Sequence, residues 1–566
     1  MKTLRITLAQ INSAVGDING NCQKIINCIN KAKTFKSDLI VFPELALSGY
    51  PPEDLLLRPK FIQTNRQYLE EVIKATDSIF AIVGFPYFYK YKLFNAAAII
   101  YQKKLIGVYK KMHLPNYGVF DEMRYFKPGD KALVLEFSKG LKIGVNICED
   151  IWQEKGPAQI QSQAGKAKII INISSSPYFA QKLALRQNLL SKRAKENRCF
   201  IAYCNLVGGQ DELVFDGASM VFDAKGKLIA QAKQFQEDLL TVDIDIASLT
   251  SATRSFRKNL PLEYVNIRAK INDKPNTFFS RKEKTLGRLE EIYAALVLGL
   301  KDYCGKNGFR QVVLGLSGGI DSALVVTIAV DALDRDNVVA ISMPSMYSSE
   351  GTKSDAKKIA DNLGIKLHII PIDSLYKEYL ASLRKPFAKT KSNIAEENIQ
   401  ARIRGNILMA FSNKFGSLVV TTGNKSELST GYCTLYGDTA GGFAILKDVP
   451  KTLVYKLARF RNKIEEVIPE SIFKRAPSAE LKRNQTDQDT LPAYSTLDAI
   501  IDLYIEKDKS ISDIIKRGFN KNLVKRTASM IDKSEYKRRQ YAVGVKITPK
   551  AFGRDRRMPI TNMFKE

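Results

Sequence analysis

The stretch QVVLGLSGGIDSALVVTIAVDAL, residues 311–333, decides the fold. It opens β-branched and apolar, turns through Ser317-Gly318-Gly319, and closes on an unbroken apolar run, so it reads strand, tight turn, helix. Glycines behind a strand let the backbone approach an anion, and the helix start aims its free N–H groups at it. No Gly-Lys-Ser/Thr ends the loop and no G-x-G-x-x-G is present, so the cradle is neither a Walker loop nor a dinucleotide fingerprint. The Ser317 hydroxyl and the backbone amides suit a pyrophosphate, and Asp321 offers hard oxygen to Mg²⁺. Ser-Gly-Gly alone also fits a plain turn; its place between this strand and this helix makes the cradle specific.

Working outward, TLGRLEEIYAALVLGLKDYCGKNG (285–308) is an amphipathic helix. After it come a strand over 311–316, a helix over 320–333, a strand over 337–343, a helix over 350–363 and a strand over 365–372. That βαβαβ succession predicts a parallel, doubly wound sheet. Upstream, 245–285 is polar, basic and broken by prolines, and there the pattern dissolves. We place a connection at 251–284, between a domain at 1–250 and one at 285–566. The first 250 residues alternate strands, among them 4–10, 38–44, 78–85, 94–102, 104–110, 131–137, 141–148, 168–174 and 199–207, with helices at 18–33 and 182–198. This predicts a layered α/β or α+β domain.

Composition narrows the chemistry. At 566 residues the chain exceeds one ordinary core. Hydrophobic content is 45%, mean hydropathy is −0.18, and no apolar run approaches the ~20 residues of a membrane helix. The N-terminus enters a strand without an apolar leader, so the expectation is a cytoplasmic protein with no membrane partner. Seven cysteines are scattered without a C-x-x-C pair, which argues against disulfides and zinc. The two histidines, His113 and His368, leave general acid–base work to carboxylates and lysines. The formal net charge is +28. Because the lysines are spread out, we read it as a solvated surface that helps to capture polyphosphates, with no nucleic-acid partner.

Three upstream segments each bring one reactive group to a strand end: FPELALSGY with Glu44, VYKKMHLPNYGVFDE with Lys111, and VNICEDIW with Cys148. A thiolate attacking a carbonyl, a carboxylate moving the proton and an ammonium facing the oxyanion make an amide-hydrolysing set without histidine. The cysteine is expected to need a lowered pKa from a nearby cation. Each residue alone has an ordinary structural explanation; the three together, in this order, do not.

These motifs carry resemblances. SGGIDS in its setting resembles the N-type ATP pyrophosphatases. The helix AEENIQARIRGNILMAFSNKF (395–415), the segment LVVTTGNKSELSTGYCTLYGDTAGG (418–442), and the tail pieces 474–494 and 544–562 resemble the NAD synthetases within that superfamily. The resemblance implies that Gly315, Leu316, Ser317, Gly318, Gly319, Ile320, Asp321 and Ser322 bind ATP, together with Thr422, Lys451 and Ser478. It implies Asp321 and Glu427 as Mg²⁺ ligands, and Asn398, Arg402, Glu427 and Lys546 as contacts to the deamido-NAD substrate. Residues 1 to about 245 resemble the nitrilase, or carbon–nitrogen hydrolase, superfamily with its α-β-β-α sandwich. Here Glu44 becomes the general base, Lys111 the oxyanion-side lysine and Cys148 the nucleophile. Tyr117, Ser176 and Lys182 become glutamine-binding residues, Glu122 an accessory carboxylate and His113 a structural residue. The implied architecture is α/β: a nitrilase-like sandwich followed by a doubly wound, Rossmann-like ATP pyrophosphatase domain.

The fusion resembles the glutamine-dependent members of the NAD synthetase family. They are expected to use ATP and L-glutamine to amidate deamido-NAD through an adenylate and a cysteine thioester. The resemblance also implies a homo-oligomer. A related amidotransferase with another acyl acceptor is the competing reading, and E-N-I-Q-A-R-I-R favours the NAD branch. A binding protein with decayed sites is the other, and the intact motifs speak against it.

Overall fold

The computed structural model describes residues 3–137, 140–245, 261–267 and 279–564. The chain divides into two compact units, Met1–Gln210 with Val214–Leu286, and Asp211–Leu213 with Gly287–Glu566.

The first unit is built on two sheets. One has six strands in the order Asp238–Asp245, Thr3–Gln10, Leu39–Val41, Phe80–Tyr89, Lys92–Tyr101, Lys104–Lys110. The other has seven, in the order Leu228–Gln231, Met220–Phe222, Phe200–Asn205, Ile169–Ser174, Lys142–Ile147, Ala132–Phe137, Leu262–Ile267. Alternate residues point to opposite faces of a strand, and here both faces are apolar. Leu4, Ile6, Leu8 and Ile82 of one sheet share a core with Leu133, Val145, Ile171 and Ile173 of the other. The alternate set Ile40, Ala81, Val83 and Ala98 packs under Ile25 and Ile29 of helix Ile18–Thr34 and Leu69 and Val72 of helix Pro59–Lys74. On the far side Val134, Ile170 and Ile201 pack under Leu183, Leu190 and Ala194 of helix Lys182–Asn197. Double-sided burial of this kind makes four layers, α-β-β-α, as expected.

The stretch 251–284 differs from a plain connection. Leu262–Ile267 is an edge strand paired parallel to Ala132–Phe137, Leu262 against Ala132 and Ile267 against Phe137. Its exposed residues, Glu263, Tyr264 and Asn266, fall on both faces, so no clean alternation marks it. The parts of that stretch at 251–260 and 268–278 lie outside the described residues.

The second unit carries a parallel five-stranded sheet, Lys366–Ile369, Val338–Ser342, Val312–Gly315, Leu418–Thr421, Phe443–Ala444. The first strand of the unit therefore lies in the middle, and strand order reverses beside it. Loops at the carboxyl ends part at such a switch point and leave a crevice. The SGGIDS loop opens into it. Helix Ile320–Leu333 follows this loop directly, and helix Ile394–Phe415 leads into the strand Leu418–Thr421.

Candidate active sites

In the first unit, Glu44 follows strand Leu39–Val41, Lys111 follows Lys104–Lys110, and Cys148 follows Lys142–Ile147. Lys111 is 1% exposed and Glu44 fully buried. The Lys111 ammonium donates to Glu44 Oε1 at 2.6 Å and to both oxygens of Glu122, at 2.8 and 2.9 Å. Asn95 Nδ2 donates to Glu44 Oε1 at 2.7 Å, and the Ser175 amide to Glu44 Oε2 at 3.0 Å. The Tyr50 hydroxyl donates to Glu122 at 3.1 Å. A buried charge needs partners on every lone pair or proton, and this network supplies them. It holds Lys111 charged: its pKa rises under the two carboxylates although burial alone would lower it. Burial, with Glu44 close by, pushes the Glu122 carboxyl up to about 7.

Cys148 opens a single helical turn, Cys148–Ile151, at φ +40°. A non-glycine residue with positive φ marks a constrained position, and here it presents the thiol at the sharp end of a strand. The expected lowering of its pKa does not occur. Burial and Glu44 raise it more than Lys111 lowers it, so the resting side chain is a thiol. Tyr117 is close enough to feel both Cys148 and Lys111, and its hydroxyl donates to Glu149 Oε2 at 2.9 Å. The Ser176 amide donates to Asn205 Oδ1 at 3.0 Å, next to the Glu44-binding Ser175. Lys182 starts its helix, with its ammonium on the Pro177 carbonyl at 2.6 Å. His113 Nδ1 lies 3.1 Å from buried Asp150, which holds the turn after Cys148 by accepting from the Ile147 amide. This matches its structural reading.

In the second unit, a cavity of about 420 Å³ is lined by Gly315 through Ser322, Asn398, Thr422, Glu427, Lys451 and Ser478. Gly318 has φ +82°, and a Cβ there would lie 2.1 Å from the Thr352 carbonyl oxygen, so only glycine fits. Arg475 donates to the Gly318 carbonyl at 3.2 Å and pairs with Asp355 at 2.5 Å, bracing the loop. Asn-x-x-Glu at 424–427 forms a capping box: Asn424 Oδ1 accepts from the Glu427 amide and Glu427 Oε2 from the Asn424 amide. The box aims Glu427 at the cavity, and Asn424 Nδ2 donates to Asp321 Oδ1 at 3.0 Å. The Lys451 ammonium is hydrogen-bonded to Asp321 and 3.5 Å from Glu427. Burial raises the Glu427 pKa, with Lys451 opposing that rise. Among the described residues no group of three or more His, Cys, Asp or Glu side chains could hold a metal ion. The carboxylates of Asp321 and Glu427, both facing Lys451, are hard oxygen donors of the kind Mg²⁺ takes, and the rest of its shell would have to come from substrate and water.

The structure does not bring Arg402 or Lys546 to this cavity. The cavity face of helix Ile394–Phe415 is Ile394, Glu397, Asn398, Ala401, Arg404, Gly405 and Leu408. Arg402 lies outside that arc, exposed, with Nε on the Leu435 carbonyl at 3.2 Å. The Lys546 ammonium is buried on Asp555 and the carbonyls of Thr548 and Pro549. Residues not singled out from sequence line the cavity too, notably Arg404, Arg475 and Asp487. Asp487 accepts from the Tyr494 hydroxyl at 2.7 Å, and burial raises its pKa.

Comparison with known proteins agrees with this layout. Residues 5–254 match the carbon–nitrogen hydrolase family and residues 292–541 the NAD synthase family. A glutamine-dependent NAD(+) synthetase of Aquifex aeolicus is 50% identical over 99% of this chain and 100% of its own length. That of Thermotoga maritima is 49% identical over the whole of both chains. The solved structure of the Acinetobacter baumannii enzyme in complex with ADP is 41% identical, covers 99% of each chain and superposes with a TM-score of 0.76. With a carbon–nitrogen hydrolase unit and an ATP-dependent NAD synthase unit in one polypeptide, the chain belongs to the glutamine-dependent NAD(+) synthetases, which are amidating ligases.

Proposed function

We propose that the two sites divide one amidation of deamido-NAD between them. At the first, Cys148 Sγ attacks the side-chain carbonyl carbon of glutamine while Glu44 takes the thiol proton. The Lys111 ammonium faces the oxyanion, and Glu44 returns the proton to the departing nitrogen, which leaves as ammonia. Water then attacks the thioester, with Glu44 again as base, and releases glutamate. Tyr117, Ser176 and Lys182 are assigned to holding the glutamine, and Glu122 to keeping Lys111 charged and placed.

At the second site, the amides of Ser317 to Ser322 hold the β and γ phosphates of ATP, with Thr422, Lys451 and Ser478 as further contacts. Asp321 and Glu427 would hold Mg²⁺, which when bound neutralises the phosphate charge. The substrate carboxylate attacks the α-phosphorus and pyrophosphate leaves. Ammonia then attacks the acyl carbon of the adenylate, loses a proton, and expels AMP to give NAD⁺. Asn398 and Glu427 are assigned to the dinucleotide, with Arg402 for any part beyond the cavity; Lys546 is occupied by Asp555. No helix among the described residues is long and apolar enough to cross a membrane. A cytoplasmic homo-oligomer is part of the proposal and rests on the family resemblance.

The observation that carries this reading is the meeting of the phosphate loop, Asp321, Glu427 and Lys451 in one cavity. Incubation with ATP, deamido-NAD and glutamine, read by mass spectrometry, is expected to yield NAD⁺, AMP, pyrophosphate and glutamate. Formation of ADP and phosphate in place of AMP and pyrophosphate would rule out the adenylate.

A further inference from the structure

The cavity of the second unit contains a cation that is in no ion pair among the described residues. Arg404 lines it from helix Ile394–Phe415, with Nε donating to the Met343 carbonyl at 3.0 Å. Burial lowers its pKa only to about 10, so it is charged at neutral pH. Arg404 is half-buried; the deeper arginines each hold a carboxylate, among them Arg5 with Asp243, Arg186 with Asp216, Arg461 with Asp331 and Arg538 with Glu535. Arg404 is in no ion pair among the described residues. Two acidic groups attract it without forming an ion pair with it, Glu480, which lines the same cavity, and Asp373. Glu480 accepts from the Thr352 hydroxyl at 3.1 Å and Asp373 from the Met346 amide at 2.8 Å. The other cavity cations are already taken. Lys451 is on Asp321, Arg475 on Asp355, Lys353 on Glu350, and Lys537 on the carbonyls of Gly431 and Cys433.

A half-buried guanidinium whose terminal nitrogens hold no partner among the described residues can take its counter-charge from a ligand. The surroundings say which charge. Near Met343 the floor is apolar: a Cβ on Gly315 would touch Met343 Cε at 3.4 Å and Leu408 Cδ1 at 3.6 Å. Such a floor suits a base and ribose, whereas the loop amides from Ser317 onward suit the terminal phosphates. The phosphate lying between floor and loop is the α-phosphate.

We propose that Arg404 is the counter-ion of the nucleotide α-phosphate, the group that stays on the adenylate after pyrophosphate has gone. Its planar fork matches two phosphate oxygens. The role rests on the reading that ATP occupies this cavity, and it makes Arg404 a substrate-contacting residue of the adenylation half-reaction. The loop and Lys451 govern ATP and pyrophosphate; Arg404 governs AMP.

The test is calorimetric titration of the full-length chain, wild type, R404Q and R404K, with ATP, AMP and adenosine, each protein first checked for an unchanged thermal midpoint. Wild type is expected to bind AMP at least about tenfold more tightly than adenosine. R404Q is expected to erase that difference, leave adenosine affinity unchanged, and weaken ATP less than AMP. R404K, which keeps charge without the fork, is expected to lie between. An equal loss of adenosine and AMP would assign Arg404 to the base, and an unchanged AMP affinity would remove it from the nucleotide; either overturns the proposal. If R404Q fails to fold, R404K decides on the same ratio of AMP to adenosine. Wild type binding none of the three ligands would bring down the nucleotide reading of the cavity itself, a separate outcome.

Discussion

Cys148 works from an environment that disfavours its reactive form. Its thiol is buried, a carboxylate stands closer in effect than the lysine, and its pKa is raised. On the proposed mechanism the thiolate is therefore made during attack, by transfer to Glu44, and is not stored as an ion pair. The sign is testable. A cysteine with a raised pKa gains about tenfold in thiolate per pH unit up to that pKa. Alkylation of Cys148 by iodoacetamide, followed by peptide mass spectrometry, is expected to accelerate steadily from pH 6 to pH 9.5 with no plateau. A plateau at pH 6–7 would reveal a preformed thiolate and refute this account. Lys111 allows a second prediction. Substituting it leaves Glu44 and Glu122 buried side by side without their cation, so Lys111→Met is expected to cost about 3–5 kcal/mol in urea unfolding. Lys111→Met with Glu122→Gln should recover part of that loss; no recovery would mean that Glu122 does not depend on the lysine. The placement of Glu44, Lys111 and Cys148 was legible in sequence because each ends a strand within a distinctive short motif. The polar frame around it, Asn95, Tyr50 and Ser175, was not, because these residues act only through long-range hydrogen bonds. Arg404 was missed for a helical reason. Arg402 and Arg404 are two positions apart, about 200° around the axis, and only the packed structure says which one meets the cavity.

Elements place these groups, and glycine limits how far they can be changed. Gly318→Ala would drive a Cβ to 2.1 Å from a backbone oxygen that cannot move aside, at a φ of +82°. The substitution is expected to deform the SGG loop and weaken ATP binding at least about tenfold in titration, while the thermal midpoint falls by only a few degrees. ATP binding within twofold of wild type would mean that the loop does not hold the phosphates. The elements around this loop were readable to within one to three residues: helix 320–333 is Ile320–Leu333, helix 350–363 is Glu350–Leu363, and strand 337–343 is Val338–Ser342. They are legible because the central parallel strands are apolar on both faces, helix Glu350–Leu363 is apolar on one, and helix Ile320–Leu333 is an apolar run set off by its glycine turn. The first unit was harder. Strands Phe80–Tyr89 and Lys92–Tyr101 turn on Lys90-Tyr91, both with positive φ. A hairpin of that kind normally announces itself with Asn-Gly, and Lys-Tyr does not. Strand Leu262–Ile267 was hidden likewise, since a polar edge strand takes its stability from one neighbour and leaves little pattern of its own.

At the scale of the whole molecule, the chain carries two complete reactive sets of opposite habit. One is a buried network around a thiol. The other is a broad cavity lined by loop amides and charged side chains, most of them paired. Their only shared currency is ammonia, which at neutral pH is mostly ammonium in water and not nucleophilic. The second set acts on the substrate carboxylate whatever the source of its nitrogen, and the first has no other product to offer it. This separation predicts an asymmetry between two variants. Cys148→Ala removes the nucleophile without disturbing the Lys111 network, so glutamine-driven NAD⁺ formation should fall by at least about a thousandfold. With ammonium chloride at alkaline pH as nitrogen source, the same variant should keep its rate to within about threefold. Asp321→Ala should lose both activities, because it removes the carboxylate that Asn424 and Lys451 hold in the cavity proposed for ATP. Assays of NAD⁺ with each nitrogen source decide the matter. Loss of the ammonia-driven rate in folded Cys148→Ala would mean that the two sets do not act as separate steps. An Asp321→Ala variant that still turned over ammonia would take Asp321 out of the adenylation.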